Sequence, residues 1–536
     1  MEQNGPFTEA SPAGDSNGQL DNSEDNSPAA GEKALEEPAN TVEYPNGLHM
    51  FFIMLALVLS ITLCALDQTI VATAIPKITD RFDRMQDISW YGSAYFLTLG
   101  AFQSQWGKVF KFFNLKYSFL VAILIFECGS LVSAVAQNST TVIVGRALAG
   151  LGASGVAPGV YTFSAFSAEP GKRATYTGLI GMTYGIAAVA GPLIGGGLTD
   201  GASWRWCFYI NLPVGGLAAL VILITFKTPA SVPRVQATAK EKILQMDFPG
   251  TALVMGASLC LLLALQYGGV THPWKSSLVI GLLVGFGLMI IALIIVEIWQ
   301  GERAMLTPRL MRQRTIWVSS IWGFFFAGAY FITLYYLPIY FQSIDGQSAI
   351  GSGVRNLPLI ALFSIFTFAS GKAISKTGIA APFLVVSSVM VTISAGLLYT
   401  LDMLAGTGYG MGLQIPLIIA QAFAEPSDIA PVTAIIIFAR SIGATFMIAA
   451  AQCGFENQLL QKLRTTTPSI NRSLVISTGA TALRQAFHEA ELNGVILAYA
   501  WGIRVAFAIT IVSCGITVFT SLATRWDNTN KKKATI

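Results

Sequence analysis

The chain has 536 residues, 53% hydrophobic and only 12% charged, with a formal net charge of +4 and a mean hydropathy of +0.59. So low a charged fraction excludes a string of water-soluble domains and fits one polytopic membrane body, and the small net charge makes no case for nucleic-acid binding. The cysteines Cys64, Cys128, Cys207, Cys260, Cys453 and Cys514 form no CxxC pair, and no HExxH or GxxxxGK[ST] run occurs, so neither a disulfide framework, a metal site, a cofactor nor a self-contained ATP-driven pump is implied.

Residues 1–48 hold ten Asp or Glu and one Lys among Ser, Asn, Gly and Pro. Such a segment has too little apolar surface to fold and is expected to be a disordered acidic tail. Apolar runs follow. A hydrocarbon core about 30 Å thick needs roughly 20 helical residues. On that measure the sequence predicts an all-α membrane protein with about fourteen spans, near 50–73, 89–107, 117–136, 142–164, 174–197, 207–226, 247–267, 277–299, 316–341, 351–371, 382–401, 405–424, 430–454 and 500–523. The runs are continuous rather than alternating, which favours helices over a barrel.

Lys and Arg fix the expected orientation. Nineteen of them fall in the loops after the even-numbered spans and at the C-terminal end, against six in the short connections of the other side. This bias puts both termini in the cytoplasm and the long loop at about 455–499 outside. Asn138 and Asn471 head N-x-[ST] sequons on the outer side; Asn138 sits close to the membrane, leaving Asn471 as the glycosylation candidate or a chance match. Within the outer loop, Thr481–Leu492 reads as a surface helix with one apolar face.

Ionisable residues inside spans are functional hypotheses by default. Asp67 lies near the end of the first span in LDQTIVATAIP, as a proton or substrate site or as a structural polar contact. Glu127 lies mid-span in FLVAILIFECGSLVSA, either exchanging a proton as water access alternates or hydrogen-bonded at a helix contact. Arg146 opens RALAGLGASG in the fourth span and must meet a carboxylate, a carbonyl or water. Arg440 in IIIFARSIGAT follows the same logic in the second half. For Glu297, Arg355 and Arg504, nearer span ends, snorkelling suffices.

The fifth span, GLIGMTYGIAAVAGPLIGGG from Gly178 to Gly197, is interrupted by seven glycines and Pro192. On a helical wheel all but Gly197 fall within an arc of roughly 140°. Gly181/Gly185 and Gly191/Gly195 make GxxxG pairs that allow close helix approach, and Pro192 favours a kink at a moving interface. In the ninth span, the aromatic run from Trp317 to Tyr340, including Trp322 and Tyr330, either lines a greasy substrate cavity or contacts lipid.

These stretches resemble the major facilitator superfamily, specifically its fourteen-span drug:proton antiporters in the fungal toxin and multidrug efflux branch. LDQTIVATAIP (66–76) is similar to that family's first-span motif, and GRALAGLGASG (145–155) to the fourth-span motif, whose arginine the family implicates in proton transfer. GMTYGIAAVAGPLIGGGL (181–198) resembles the antiporter motif, with Gly181, Gly185, Gly191, Pro192 and Gly195, and WRWCFYINLPVGG (204–216) follows as in the fourteen-span branch. One departure stands out: Lys111 occupies the position where the superfamily pattern has an Asp that helps latch the two halves, so the latch here must differ.

The resemblance implies two six-helix bundles, 49–226 and 316–524, with two inserted helices in 227–315 and a basic tail at 525–536. It also implies a substrate site near the midplane and alternating access by rocking. The function expected is proton-coupled export of a lipophilic small molecule, a fungal secondary metabolite, mycotoxin or drug. Asp67, Glu127 and Arg146 are the coupling candidates, Trp322, Tyr330 and Arg440 the cavity candidates. The expected partners are the lipid bilayer, the cargo and protons, and the chain is expected to act as a monomer. The cell membrane is the expected location, a vacuolar or vesicle membrane the alternative. Uptake of a siderophore or another small molecule, and a non-transporting sensor signalling through the acidic tail, are the competing readings.

Overall fold

The computed structural model describes residues 44–45, 47–84, 87–226, 237–397, 402–468, 470–471, 474–475, 478 and 483–530. Nearly all of the expected acidic tail and half of the basic tail lie outside them.

The long apolar runs form helices. In chain order these are α1 (Leu48–Phe82), α2 (Ile88–Phe112), α3 (Leu115–Ala134), α4 (Ser139–Ser167), α5 (Arg173–Gly201), α6 (Asn211–Thr225), α7 (Phe248–Tyr267), α8 (Ser277–Gln300), α9 (Arg314–Ser343), α10 (Ala349–Thr377), α11 (Ala381–Gly396), α12 (Asp402–Gly412), α13 (Ile415–Phe423), α14 (Ile429–Thr466) and α15 (Glu489–Leu522). Several starts follow local capping chemistry. Asn114, Asn138, Asp247, Ser276 and Ser348 each accept a hydrogen bond from a first-turn backbone N–H. Asn138 thus serves as the N-cap of α4.

Among the described residues, twelve helices are long and apolar enough to cross a membrane, fewer than the fourteen expected. The two expected spans outside this set are α2, whose second half carries Gln103, Ser104, Gln105 and Lys108, and α11, which is 16 residues long. The span expected at 405–424 is broken at Leu413 and Gln414 between α12 and α13. The outer loop is shorter than expected, because α14 continues to Thr466 and α15 starts at Glu489. The surface helix expected at Thr481–Leu492 is divided: Leu483–Ala486 is a single turn, and Glu489–Leu492 is the first turn of α15.

Helices α1–α6 pack around one core and α9–α15 around another. The hairpin α7–α8 leans on α2 and α14, with most of α8 left exposed. The first core is continuous with Leu417, Ala420 and Ile429–Ile437 at one end of the second bundle. We call the end that carries Leu48, the α2–α3 connection and Ala523 the near end, and the opposite one the far end.

The near end is closed in several layers. Gly178 of α5 and Gly371 of α10 face each other so closely that a Cβ on Gly178 would lie 2.7 Å from the Thr367 carbonyl oxygen and 3.3 Å from the Gly371 Cα. Small residues permit this backbone approach, as in other membrane helix pairs. Gly107 of α2 meets α14 in the same way, a Cβ there lying 2.6 Å from that of Ala434. The Thr175 backbone N–H and hydroxyl both donate to Ser375 Oγ, at 2.9 and 2.8 Å.

Charge completes the closure. Lys111 pairs with Asp428, in the turn before α14, at 2.8 Å, and Arg309 binds the other carboxylate oxygen at 2.8 Å. The latch is therefore present with its charges exchanged: the first bundle supplies the cation and the second the anion. Burial opposes the Arg309 charge, but Asp428 and Glu302 outweigh it and hold its pKa above the ordinary arginine value. The linkers flanking α7–α8 grip α2 as well, Ser104 donating to the Met305 carbonyl at 2.8 Å and Gln105 to that of Met246 at 2.5 Å.

Toward the far end the arrangement changes. Gly181 and Gly185 still face Gln414, Thr367 and Phe363 of the second bundle, whereas Gly191 and Gly195 turn to Thr69 and Ile70 of α1. The glycine face of α5 is thus divided between two partners rather than forming one seam. Gly196 and Gly197 meet open space, and Pro192 is exposed. The far-end ties run within each bundle: Lys77–Asp200 and Arg205 to the Ala136 carbonyl in the first, Arg355–Asp345 and Arg484 to the Ile344 carbonyl in the second.

Candidate transport site

Two polar constellations occupy the middle of the molecule, one in each bundle. In the first bundle Asp67 and Arg146 form an ion pair at 2.5 Å, with side chains 0% and 1% exposed. The Arg146 Nε donates to the Tyr91 carbonyl at 3.0 Å, and the guanidinium stacks 4.4 Å from the Tyr95 ring centroid. Asn211, the first residue of α6, donates to Asp67 Oδ1 and to Ser130 Oγ, both at 3.1 Å. Each charge thus has an opposite charge and further hydrogen bonds, the condition under which an ion pair withstands burial.

Glu127 lies one turn before Ser130 on α3, on the same face. Both of its carboxyl oxygens are buried and without a hydrogen-bond partner. The group rests against Gly215 of α6, where a Cβ would meet its Oε1 and lie 2.7 Å from its Cδ. The three coupling candidates, from the first, third and fourth helices, therefore belong to one neighbourhood. From it a thread of side chains leads to the far end: the Tyr91 hydroxyl donates to Ser139 Oγ at 2.9 Å, and Ser139 donates to Asp87 at 2.5 Å.

Beside this network lies a cavity of about 620 Å³, walled by α1, α2, α4 and α5 on one side and by α9 and α14 on the other. Helix α7 closes a flank through Leu262, Leu265 and Gln266. The volume falls in the range of small-molecule sites. Its lining is mainly apolar and aromatic, with Phe96, Tyr161, Tyr184, Phe331 and Tyr335 supplying ring faces. Tyr184 donates to Gln68 at 2.8 Å. Gln414, at the break between α12 and α13, donates to the Tyr161 hydroxyl at 3.1 Å and accepts from Arg440 Nη1 at 3.3 Å, so it ties the two bundles at the cavity floor.

The cavity candidates fare differently. Arg440 lines the wall. Trp322 and Tyr330 do not; both are buried inside the second bundle. Trp322 stacks on Phe326 at 4.0 Å and donates to Ser388 at 2.9 Å, and Tyr330 stacks on Phe363 at 5.0 Å. The face of α9 that reaches the cavity carries Ala327, Phe331 and Tyr335, spaced by four residues. Aromatic residues cover every side of α9, so the residue pattern alone does not single out that face.

Glu297, read as snorkelling, is instead buried and accepts the Leu306 backbone N–H at 2.9 Å, holding the turn into the near-end linker. Arg355 pairs with Asp345 at 2.6 Å, and exposed Arg504 lies 5.0 Å from the Trp501 ring. Asn471 is exposed beyond the end of α14.

Comparison with known proteins agrees with this architecture. The family model "Major Facilitator Superfamily" matches residues 57–448. The MFS-type transporter grgE of a Penicillium species is 49% identical over 497 residues, covering 90% of this chain and 88% of its own. The probable efflux pump gsfJ of Penicillium aethiopicum is 48% identical over 497 residues, covering 90% and 89%. Among solved structures, a double-Trp mutant of XylE superposes with a TM-score of 0.56 at 13% identity, covering 91% of this chain and 98% of that one, a likeness of fold alone. Its helices, its closed near end and its central cavity are those of a membrane transporter, and the chain belongs to the major facilitator superfamily.

Proposed function

We propose that this protein is a proton-coupled efflux transporter that exports a lipophilic small molecule, a fungal secondary metabolite, mycotoxin or drug. The observation that carries the reading is the buried Asp67–Arg146 pair, with unpartnered Glu127 one turn from its Ser130–Asn211 support, beside a cavity walled by both bundles. A proton arriving at Asp67 removes the anion that Arg146 holds, and Arg146, which stays charged, must then seek another partner; Glu127 beside the pair is the alternative proton carrier. That change of partner is the step that couples protonation to rocking of the bundles.

The near end is the cytoplasmic one, since Lys and Arg concentrate there. Both termini are cytoplasmic, and the cell membrane is the favoured location. The span count is fourteen: α2 and α11 lie in the bundles beside the twelve apolar helices, and polar residues on α2 face the linkers rather than lipid. The arrangement described is the outward-facing state, closed at the cytoplasm by the exchanged-charge latch. The relatives named as efflux pumps support export over uptake.

The test is made in cells. A deletion strain is screened for compound hypersensitivity, and the compound found is followed in overexpressing cells. Export requires that those cells lose the compound and that a protonophore stop the loss. Accumulation would support an uptake carrier. An unchanged content, with a phenotype that disappears when residues 1–42 are deleted, would support a sensor.

A further inference from the structure

Arg440 is the cation of the cavity, and its bonding is incomplete. A guanidinium has five N–H donors. Among the described residues the hydrogen bond found for it is the 3.3 Å contact to Gln414, itself a neutral group, and no carboxylate lies within ion-pair distance. The acid in the cavity lining is Glu456. It lies sixteen positions further along α14, about 24 Å away at 1.5 Å per residue, and is bonded to Gln452. The cation and the acid of the cavity thus stand far apart along α14. Arg146 shows how the fold treats a cation it means to neutralise; Arg440 has no such treatment.

Tyr161 and Tyr184 line the same cavity, Tyr161 sharing Gln414 with Arg440, and Phe331 and Tyr335 line it from α9. Their flat faces suit a planar aromatic body, and the unpaired guanidinium edge suits a carboxylate or an acidic phenol, which it can grip in a fork. We propose that Arg440 is the specificity-determining residue of the cavity and that the cargo is an aromatic anion, its acidic group on Arg440 and its rings between the tyrosines. This rests on the cavity being the cargo site. It explains why the cation is left unpaired: an acid from the protein at this point would compete with the cargo.

The test uses purified full-length protein in detergent, without any gradient, so that it is independent of coupling. Two xanthene dyes of similar shape serve as probes, fluorescein, which is anionic, and rhodamine 123, which is cationic; binding is read by fluorescence anisotropy. Wild-type protein is expected to bind fluorescein about tenfold or more tightly than rhodamine 123, a preference that weakens with added salt. Arg440→Gln is expected to lose about tenfold in fluorescein affinity, with rhodamine 123 unchanged or improved, and Arg440→Lys to retain most of it. Equal binding of the two dyes by the wild type, tighter binding of rhodamine 123, or no measurable binding of fluorescein overturns the proposal, and this arm needs no variant to fold. Arg440-dependent fluorescein binding by a protein that shows no gradient-driven transport supports the site while removing the coupling reading.

Discussion

Arg146 and Arg440 are both arginines in the middle of long helices, one in each bundle, and the fold treats them in opposite ways. Arg146 is 1% exposed and fully provided for, with Asp67, a backbone carbonyl and the Tyr95 ring. Arg440 is partly exposed on a cavity wall and holds a neutral amide at 3.3 Å. A buried cation without its anion costs several kcal/mol, whereas one facing an open cavity is hydrated at little cost and can exchange water for a ligand. The difference separates two tasks. On the proposed function, the first bundle carries an internal charge balance that a proton can upset, and the second presents a charge for the cargo.

The comparison breaks most visibly at Asp67. Asp67→Asn leaves Arg146 without its anion and is expected to lower stability by about 3 kcal/mol and to remove gradient-driven transport. Adding Arg146→Gln should restore much of the stability and none of the transport, as read by thermal unfolding and vesicle uptake. If the double variant recovered transport, the pair would be structural. The next effect concerns the near end against the far one. Gly178→Leu forces side-chain atoms into the α10 backbone and should abolish transport in correctly inserted protein, whereas Gly197→Leu points into open space and should change stability by about 0.5 kcal/mol or less. Equal damage from the two would mean that the split glycine face has no role in gating.

A smaller effect tests the latch. Lys111→Glu brings like charge to Asp428 and should raise the accessibility of near-end cysteine probes, with Lys111→Glu/Asp428→Lys recovering closure in part, because Arg309 then faces a cation. Accessibility unchanged in the single variant would leave closure to the glycine contacts alone. The smallest expected effect is at Trp322. Trp322→Phe loses the bond to Ser388, about 1 kcal/mol of stability, and should leave cargo affinity unchanged. A shift in affinity instead would return that residue to the cavity.

What the sequence made legible was what is local along the chain. The apolar runs located the helices, the buried charges located Asp67, Glu127 and Arg146, and the glycines of 178–197 located the interface helix. What lay beyond it depends on helices meeting across the fold. Asn211 stands inside WRWCFYINLPVGG, yet its contacts with Asp67 and Ser130 join residues 144 and 81 positions away. Gln414 is an ordinary amide until a break between α12 and α13 turns it toward Tyr161 and Arg440. Tyr161 and Tyr184 are single rings in glycine-rich spans, while the conspicuous cluster on α9 drew notice to Trp322 and Tyr330, which pack inward. The missing Asp at position 111 was legible; its replacement by a reversed pair was not, since Asp428 is 317 residues away.

On the proposed function, Asp67 provides the link between proton movement and cargo movement. It is tested most directly in inside-out vesicles, comparing accumulation of the compound found by the deletion screen under an imposed pH gradient with its exchange when no gradient is present. Wild-type vesicles are expected to accumulate the compound until a protonophore is added, and Asp67→Asn to lose this accumulation while still exchanging compound at equilibrium. Accumulation by Asp67→Asn at the wild-type level, or wild-type accumulation indifferent to the protonophore, would contradict it.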